Sequence, residues 1–414
     1  MQHELRGFNS WDSYGSSVTE EELKENALFL AQRLKDAGYR YVICDIQWYE
    51  PQAKGNVYRE NAILCIDTFG RLIPAPNRFP SSVSGKGFLP ISQFCHNLGL
   101  KFGIHIMRGI PRQAVKLNTP ILHSTQHAQD IADTSSFCPW NPDMYGVDAS
   151  KEGAQAYYDS LLELYASWEI DFLKVDDIAN RENELDPYAA KAEIELITKA
   201  IQKTGRSIVL SLSPGPAPRN QKEHLENHAT MWRISGDFWD EWPKLYKMFE
   251  LCHRWEGKRK PGTFPDCDML PLGRLCVRAP YQGEQNRLSR FTFDEKKTML
   301  TLWAITHSPL FIGGVLNTLT QEELFLLTKK EVLHLRASEI PSYQRCRDTS
   351  SIVWEAQGQD CLYCALFNIS DNSQTITYIP DRQYRTITNL WTDKEEESLT
   401  FTISAHGCEL VIVR

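Results

Sequence analysis

The sequence predicts an α/β fold class, a (β/α)8 TIM barrel followed by a C-terminal antiparallel β-sandwich. Over residues 1–336, short apolar runs alternate with helical stretches, and this alternation is typical of a parallel sheet. About seven or eight such units over roughly 330 residues fit a closed barrel better than an open sheet. Over residues 337–414 helical periodicity is absent, and short strand-like runs are separated by turn signals. We therefore expect a barrel domain over 1–336 and a sandwich domain over 337–414.

The barrel strands are predicted from short apolar runs that follow helical segments. They lie at residues 7–12, 40–48, 101–107, 171–177, 207–213, 231–237, 264–270 and 307–314. The clearest helix is predicted just before the second strand, where Leu23, Ala27, Leu30 and Leu34 share one face. The segment 17–20 before it has the residue types that cap a helix N-terminus.

Composition excludes several classes of protein. The net charge is −8 over 414 residues and no long basic run is present, so we expect no nucleic-acid partner. The most apolar stretch, 301–316, contains His307 and Pro309 and is too short to span a bilayer. The N-terminus lacks the pattern of a secretory signal, so we expect a cytoplasmic protein, although a trimmed secreted form has the same pattern.

The cysteines favour a reducing compartment. There are 11, an odd number, scattered without the spacing of metal ligands. Cys361 and Cys364 form a single CxxC inside a strand-like run, which is better explained by two hydrophobic strand residues than by a zinc site.

Polar side chains collect where the predicted strands end, which is the active-site face of a (β/α)8 barrel. They are Asp12, Asp45, His105, Lys174, Asp176, Asp177, Ser211, Ser213, Arg233, Asp237, Asp266 and Asp268. Trp11 and Trp48 accompany them. Carboxylates bind hydroxyl groups and indole faces stack on the C–H face of a pyranose, so this composition favours a sugar ligand.

Each of these residues also has a structural interpretation. A strand-end Asp is often a helix cap, and Lys174 beside Asp176 is also consistent with a buried ion pair. Trp11 and Trp48 fit ordinary packing between barrel and loops, and His105 fits a hydrogen-bonded core histidine. The number of polar residues that converge on one face is what favours a site.

Cleavage of a glycosidic bond with retention needs two carboxyl groups, roughly 5–5.5 Å apart. One attacks the anomeric carbon, and the other protonates the leaving oxygen and then activates water. Two aspartates at the ends of different barrel strands meet this need. The strand-end pattern alone leaves several candidates for the pair.

Seven blocks of the chain, in order, resemble those of glycoside hydrolase family 27, which contains α-galactosidases and α-N-acetylgalactosaminidases. The blocks read GFNSWDSYG, YVICDIQW, KFGIHI, FLKVDD, WRISGD, PDCDMLPLG and LWAITHSPLFIGG. Together they cover about residues 7–340. The resemblance implies a TIM barrel with a C-terminal β-sandwich and a retaining exo-acting O-glycosyl hydrolase.

The resemblance also implies roles for individual residues. Asp176 matches the nucleophile of the K-x-D motif, and Asp237 matches the acid/base of the R-x-x-x-D motif. The implied sugar-binding residues are Trp11, Asp45, Lys174, Arg233 and Asp268, with Asp45 holding the axial 4-OH. By position we add Ile46, Trp48, His105 and Ser213 to the substrate-binding set.

Three departures from the family pattern bear on which sugar is bound. Ile46 stands where the family has a second Asp that grips O6, which suits a sugar lacking that hydroxyl, such as β-L-arabinopyranose. Ser213 stands where α-galactosidases have a Glu that binds the 2-OH. A small residue at this position resembles the α-N-acetylgalactosaminidase branch, whereas Pro216 departs from the pattern of that branch. His105 stands where α-galactosidases usually have Tyr.

The expected function is removal of a terminal α-D-galactose-configured sugar from an oligosaccharide or glycoconjugate by double displacement, with no metal and no organic cofactor. The first alternative is another specificity of the same family, such as β-L-arabinopyranosidase. The others are a metal-dependent barrel enzyme that uses the same residues and a non-catalytic carbohydrate-binding protein. The exact sugar, the aglycone and assembly into a homo-oligomer stay open.

Overall fold

The computed structural model describes residues 4–179, 188–381 and 384–414. Its main sheet has eight parallel strands, paired in the order β7-β6-β5-β4-β3-β2-β1-β8. The strands are β1 Arg6–Asn9, β2 Tyr41–Cys44, β3 Lys101–Met107, β4 Phe172–Asp176, β5 Val209–Leu212, β6 Met231–Arg233, β7 Phe264–Asp266 and β8 Leu310–Ile312. Beyond β7, Leu270 bridges Ile312 of β8 in parallel register, so the two edges of the sheet meet. The predicted barrel is confirmed; β3 has the predicted bounds, and the other strands are shorter than the apolar runs that indicated them.

A helix follows every strand and packs outside the sheet. The helices are α1 Glu20–Arg33, α2 Leu89–Asn97, α3 Ala154–Ser167, α4 Lys191–Thr204, α5 Lys222–His228, α6 Trp242–Arg254, α7 Phe293–Ile305, α8 Gln321–Thr328 and α9 Lys330–Ala337. The sequence before β5 predicts a helix that begins at residue 186. Residues 186 and 187 lie outside the described residues, and α4 begins at Lys191. No helix among the described residues is long and apolar enough to cross a membrane.

Helix α1 forms where the sequence predicts it. Thr19 is its N-cap, and Thr19 and Glu22 bond reciprocally in a capping box, which satisfies backbone N–H groups that the first turn leaves free. The predicted apolar face, which includes Leu23 and Leu30, is fully buried against the barrel. The helix ends at Arg33, earlier than its apolar periodicity predicts.

The barrel strands are largely buried, and most of their residues are apolar, as expected for a parallel sheet that is covered on both faces. Their inward side chains fill the barrel as one apolar cluster: Leu5, Tyr41, Ile43, Phe172, Val209, Met231, Phe264, Met269 and Phe311. Strands also approach closely at Gly7, where an added Cβ would lie 2.1 Å from the carbonyl oxygen of Tyr41. The interior is therefore a packed core, and the site must lie at its end.

The C-terminal part consists of antiparallel sheets. Its strands are β9 Ser342–Arg347, β10 Ser351–Gln357, β11 Leu362–Asn368, β12 Gln374–Thr377, β13 Ile387–Asn389, β14 Thr400–Ile403 and β15 Cys408–Val413. Five form a sheet in the order β9-β10-β11-β15-β13, and β12 pairs with β14. A second apolar core that includes Val353 and Ile376 contains residues of both. The predicted antiparallel architecture is confirmed, while the division at residue 336 stays a prediction; α9 ends at Ala337 and β9 begins at Ser342.

The C-terminal sheets contact the barrel through helix α7. The indole N–H of Trp391 donates to Thr301 Oγ1 at 3.0 Å, and Thr298 Oγ1 donates to the carbonyl of His406 at 2.7 Å. All the cysteines, Cys361 and Cys364 included, are free thiols.

Candidate active site

A cavity of about 370 Å³ opens at the carboxyl ends of the barrel strands. Its lining includes eight of the eleven residues that the sequence predicts for the site: Trp11, Asp45, Ile46, Lys174, Asp176, Ser213, Arg233 and Asp237. The remaining lining residues are Asn56, Tyr58, Pro139, Trp140, Asp177, Pro214, Gly236 and Met269. The cavity therefore combines carboxylates and cations with an aromatic and apolar wall, as sugar sites do.

Asp45, at the end of β2, is held as a carboxylate. Lys174 Nζ donates to Asp45 Oδ2 at 2.9 Å, and the amide of Asn9 donates to the same oxygen at 2.8 Å. Complete burial opposes ionisation, but attraction to Lys174 and His105 and these hydrogen bonds outweigh it and lower the pKa of Asp45. A buried, ionised carboxylate with a partly open cavity face is a strong acceptor for a sugar hydroxyl.

Asp176, at the end of β4, has both carboxylate oxygens engaged. His105 Nε2 lies 3.0 Å from Oδ2, and the backbone N–H of Asp177 donates to Oδ1 at 2.9 Å. Burial again opposes ionisation, but the hydrogen bond and attraction from His105, followed by attraction to Lys174, lower the pKa of Asp176 to about 2. Asp176 is therefore an ionised, oriented carboxylate at neutral pH.

Asp237 follows β6, lines the same cavity as Asp176 and differs from it in exposure. Its side chain is 62% exposed, and its Oδ1 lies 3.4 Å from the guanidinium of Arg233. Arg233 is buried and forms a second, shorter ion pair with Asp268 at 2.6 Å. One carboxylate of the cavity is thus enclosed while the other meets solvent.

Two buried acids near Asp237 have raised pKa values. Burial raises the pKa of Asp268 to about 6; Arg233 opposes the shift, and the charges of Asp237 and Asp266 add to it. Burial, followed by the charges of Asp268 and Asp237, also raises the pKa of Asp12 well above its usual range. Burial and the neighbouring carboxylates therefore both oppose ionisation on this side of the cavity.

Three predicted site residues lie behind the cavity wall. His105 is fully buried and contacts Asp176. Trp48 is fully buried and donates its indole N–H to the carbonyl of His105 at 2.6 Å. Asp268 accepts from Arg233 and from the backbone N–H of Phe238. His105 and Asp268 contact residues of the wall, namely Asp176 and Arg233, and the packing interpretation describes the surroundings of Trp48.

The aromatic part of the wall was missed by strand-end reasoning. Tyr58 lies parallel to Trp11, with ring centroids 6.5 Å apart, and also contacts Trp140 at 5.2 Å. Tyr58 lies in the β2–α2 connection and Trp140 in the β3–α3 connection. Neither ends a strand, and the only sequence signal for them is an aromatic residue in a long loop on the active-site face.

Two of the three positions that depart from the family pattern, Ile46 and Ser213, line the cavity. Ile46 is 2% exposed and adjoins Asp45, whose Oδ1 accepts from the Ile46 backbone N–H. Ser213 follows β5 and points its hydroxyl at the carbonyl of Val175, 3.3 Å away. The wall is therefore apolar at the first position and small at the second.

Potential metal ligands cluster elsewhere. Among the residues that the structure describes, one group of three has ligand atoms within 4.8 Å of one another: Glu195, His224 and His228. These residues lie on α4 and α5, and none of them lines the cavity. At the cavity, Asp45 forms an ion pair with Lys174, and Asp176 is hydrogen-bonded to His105.

The chain is 47% identical to a family 27 β-L-arabinopyranosidase of Geobacillus stearothermophilus, whose structure it matches over 100% of its own length and 96% of the other chain with a TM-score of 0.95. This chain belongs to glycoside hydrolase family 27. A form of the same Geobacillus enzyme crystallised with arabinose matches equally well. A candidate α-N-acetylgalactosaminidase of Bacillus halodurans is 46% identical to this family 27 chain, with a TM-score of 0.87 and 99% of the chain covered against 97% of the other.

More distant relatives of this family 27 chain are α-galactosidases. The family described as Melibiase_2, alpha galactosidase A, matches residues 144–337. Human α-galactosidase A is 25% identical over 353 residues, which cover 82% of this chain and 65% of the human protein. The chain likewise spans 66% of α-galactosidase 2 of Arabidopsis thaliana. The expected membership and O-glycosyl hydrolase class are therefore confirmed, and the substrate is a carbohydrate.

Proposed function

We propose that this chain is a retaining, exo-acting β-L-arabinopyranosidase. The observation that carries the proposal is Ile46, an apolar side chain in the cavity wall beside the ionised Asp45. β-L-arabinopyranose has the ring configuration of α-D-galactopyranose and lacks its hydroxymethyl group. The similarity to the Geobacillus enzyme supports the same choice. Sequence reasoning ranked the galactose-configured substrates first, and we propose the other order because of the surroundings of Ile46.

The apolar wall selects against a hydroxymethyl group. Ile46 and Met269 both line the cavity and are 2% and 6% exposed. A galactose 6-OH placed against them would lose its hydrogen bonds to water without replacement, at a cost of about 1–3 kcal/mol. A pentopyranose presents only a methylene group there.

The proposed reaction is a double displacement. Asp176 attacks the anomeric carbon while Asp237 gives its proton to the leaving glycosidic oxygen, so the C–O bond to the aglycone breaks as the ester bond to Asp176 forms. Asp237, now ionised, takes a proton from water, and the hydroxide oxygen bonds to the anomeric carbon and expels Asp176. Free arabinopyranose leaves with retained configuration, and the enzyme regains its starting protonation.

The surroundings of the two carboxylates support this division of roles. A nucleophile must be ionised and fixed, and Asp176 is held by His105 and the Asp177 backbone. An acid/base must reach both the leaving oxygen and incoming water, and the half-exposed side chain of Asp237 meets solvent. Lys174 and Asp45 supply a donor and an acceptor for neighbouring sugar hydroxyls.

An α-N-acetylgalactosaminidase is the second candidate. It is favoured by the small side chain of Ser213 in the wall, which leaves room for a 2-acetamido group, and by the similarity to the Bacillus halodurans protein.

A substrate panel tests the proposal. The 4-nitrophenyl glycosides of β-L-arabinopyranose, α-D-galactose and N-acetyl-α-D-galactosamine are compared by kcat/KM. We expect kcat/KM for the arabinopyranoside to exceed that for the galactoside by roughly 10-fold or more. A 10-fold ratio corresponds to about 1.4 kcal/mol. The variant Ile46→Asp should narrow or reverse that preference, and Ile46→Val serves as the matched apolar control. A wild-type preference for either galactose-configured substrate overturns the proposal.

A further inference from the structure

A second cleft, of about 630 Å³, adjoins the catalytic cavity. The two share Trp11, Asn56, Gly236 and Asp237 in their walls. The leaving oxygen must lie next to the acid that protonates it, so the group attached to that oxygen leaves the cavity past Asp237. The cleft is thus placed to hold the aglycone.

The cleft is rich in positive charge. Lys244, Lys247 and Arg254 line it from one face of α6, together with Met248 and Leu251. The spacing of three and seven residues places these side chains on the same side of the helix. Among the lining residues that the structure describes, Asp237 is the one carboxylate. A chain whose net charge is −8 therefore presents a local excess of cations beside its acid/base.

The nearest acids outside the lining leave much of this charge available. Glu250 pairs with Arg254 at 3.2 Å, and Glu241 accepts from the hydroxyl of Tyr281. Lys244 Nζ donates to the backbone carbonyl of Asp237 at 3.1 Å, a neutral partner. Lys247 is exposed and forms no ion pair with any residue in the described ranges.

Two aromatic residues also line the cleft. Trp239 and Tyr281 stack on each other, with ring centroids 4.2 Å apart and planes 10° apart. Trp239 is only 7% exposed, so packing holds its ring in place. A cleft that combines aromatic rings with cations suits a ring that carries a negative charge.

We propose that this cleft binds an anionic aglycone, a sugar residue that carries a carboxylate, such as a uronic acid. The inference rests on the proposed function, because it takes Asp237 as the residue that protonates the leaving group. The aromatic pair contacts the ring of the aglycone, and Lys247 and Lys244 attract its carboxylate.

The test compares two aryl β-L-arabinopyranosides, 4-(carboxymethyl)phenyl and 4-(carbamoylmethyl)phenyl. The methylene group separates the carboxylate from the phenol, so the two leaving groups have similar intrinsic reactivity and differ in charge. We expect kcat/KM for the charged substrate to exceed that for the neutral one by about 3- to 10-fold at low salt. This difference should come from a lower KM for the charged substrate, and it should decrease at high ionic strength.

The variant Lys247→Ala should lower this charged-to-neutral ratio toward one, and Lys247→Arg should retain it. The control variant is Lys199→Ala, which removes one positive charge from an exposed position of α4 outside the cleft. It should leave the charged-to-neutral ratio unchanged. A wild-type ratio of one or less, or a ratio that Lys247→Ala does not move, overturns the inference. If neither arabinopyranoside is hydrolysed, the proposed function fails instead, and the same pair of aglycones on the sugar that is hydrolysed then tests the cleft.

Discussion

His105 Nε2 lies 3.0 Å from Asp176 Oδ2, and both side chains are enclosed by the barrel mouth. The carbonyl of His105 in turn accepts the indole N–H of Trp48. This contact fixes one oxygen of Asp176, while the backbone of Asp177 fixes the other. Asp176 thus has little freedom to rotate, as a nucleophile aimed at one carbon requires.

Replacement of the proposed nucleophile should abolish turnover. In Asp176→Asn the amide cannot form the glycosyl ester, so we expect kcat to fall by roughly four orders of magnitude or more. Steady-state hydrolysis of 4-nitrophenyl β-L-arabinopyranoside measures the loss, and calorimetric binding of arabinose checks that the pocket is intact. Residual activity above a few per cent, with contamination by wild type excluded, contradicts the assignment.

Replacement of the proposed acid/base should depend on the leaving group. In Asp237→Ala, substrates with poor leaving groups should lose on the order of 10²–10⁴-fold in kcat/KM, and activated aryl glycosides much less. Added azide should restore part of the turnover, because it attacks the glycosyl ester without needing a base. NMR should show a glycosyl azide with the anomeric configuration of the substrate. The assignment is wrong if azide has no effect and all substrates lose activity equally.

The acidic limb of the pH profile should depend on His105. Burial opposes ionisation of Asp176, but the contact with His105 outweighs it and lowers the pKa of Asp176 to about 2, so the proposed nucleophile stays ionised at mildly acidic pH. In His105→Gln the attraction is lost and burial dominates, so the pKa of Asp176 rises and the acidic limb of kcat/KM moves to higher pH.

Trp48→Phe is the matched control for that experiment. It removes the hydrogen bond to the His105 carbonyl and leaves His105 and Asp176 themselves unchanged. The acidic limb of kcat/KM should therefore stay at the same pH even if the stability of the protein falls. Coincident acidic limbs for wild type and His105→Gln would show that His105 does not set the pKa of Asp176.

Removal of metal ions should not affect activity. Asp45 forms an ion pair with Lys174, and Asp176 is hydrogen-bonded to His105, so both carboxylates already have partners that compete with a divalent cation. Dialysis against EDTA should leave kcat and KM within error of the untreated enzyme. A loss of activity that added Zn²⁺ or Mg²⁺ reverses would favour the metal-dependent alternative.

Local patterns in the sequence determined the barrel and the positions of its catalytic face. Thr19 and Glu22 specify the start of α1 within four residues, and apolar runs specify β-strands that are buried on both sides. Asp45, Asp176 and Arg233 lie at strand ends because parallel strands all bring their carboxyl ends to one edge. The family blocks, which follow from residue identity alone, selected Asp176 and Asp237 from the strand-end acids.

The tertiary structure decided which residues share a surface. Trp48, His105 and Asp268 end predicted strands as Asp45 does, yet they pack behind the wall, because burial at a barrel mouth depends on neighbours far along the chain. Tyr58 and Trp140 contribute to the cavity wall from long connections, where no hydrophobic periodicity predicts the position of a side chain. The cationic cleft forms only when α6 meets the loop that carries Tyr281. Local propensity acts over a few residues, whereas a binding surface is assembled from segments that only folding brings together.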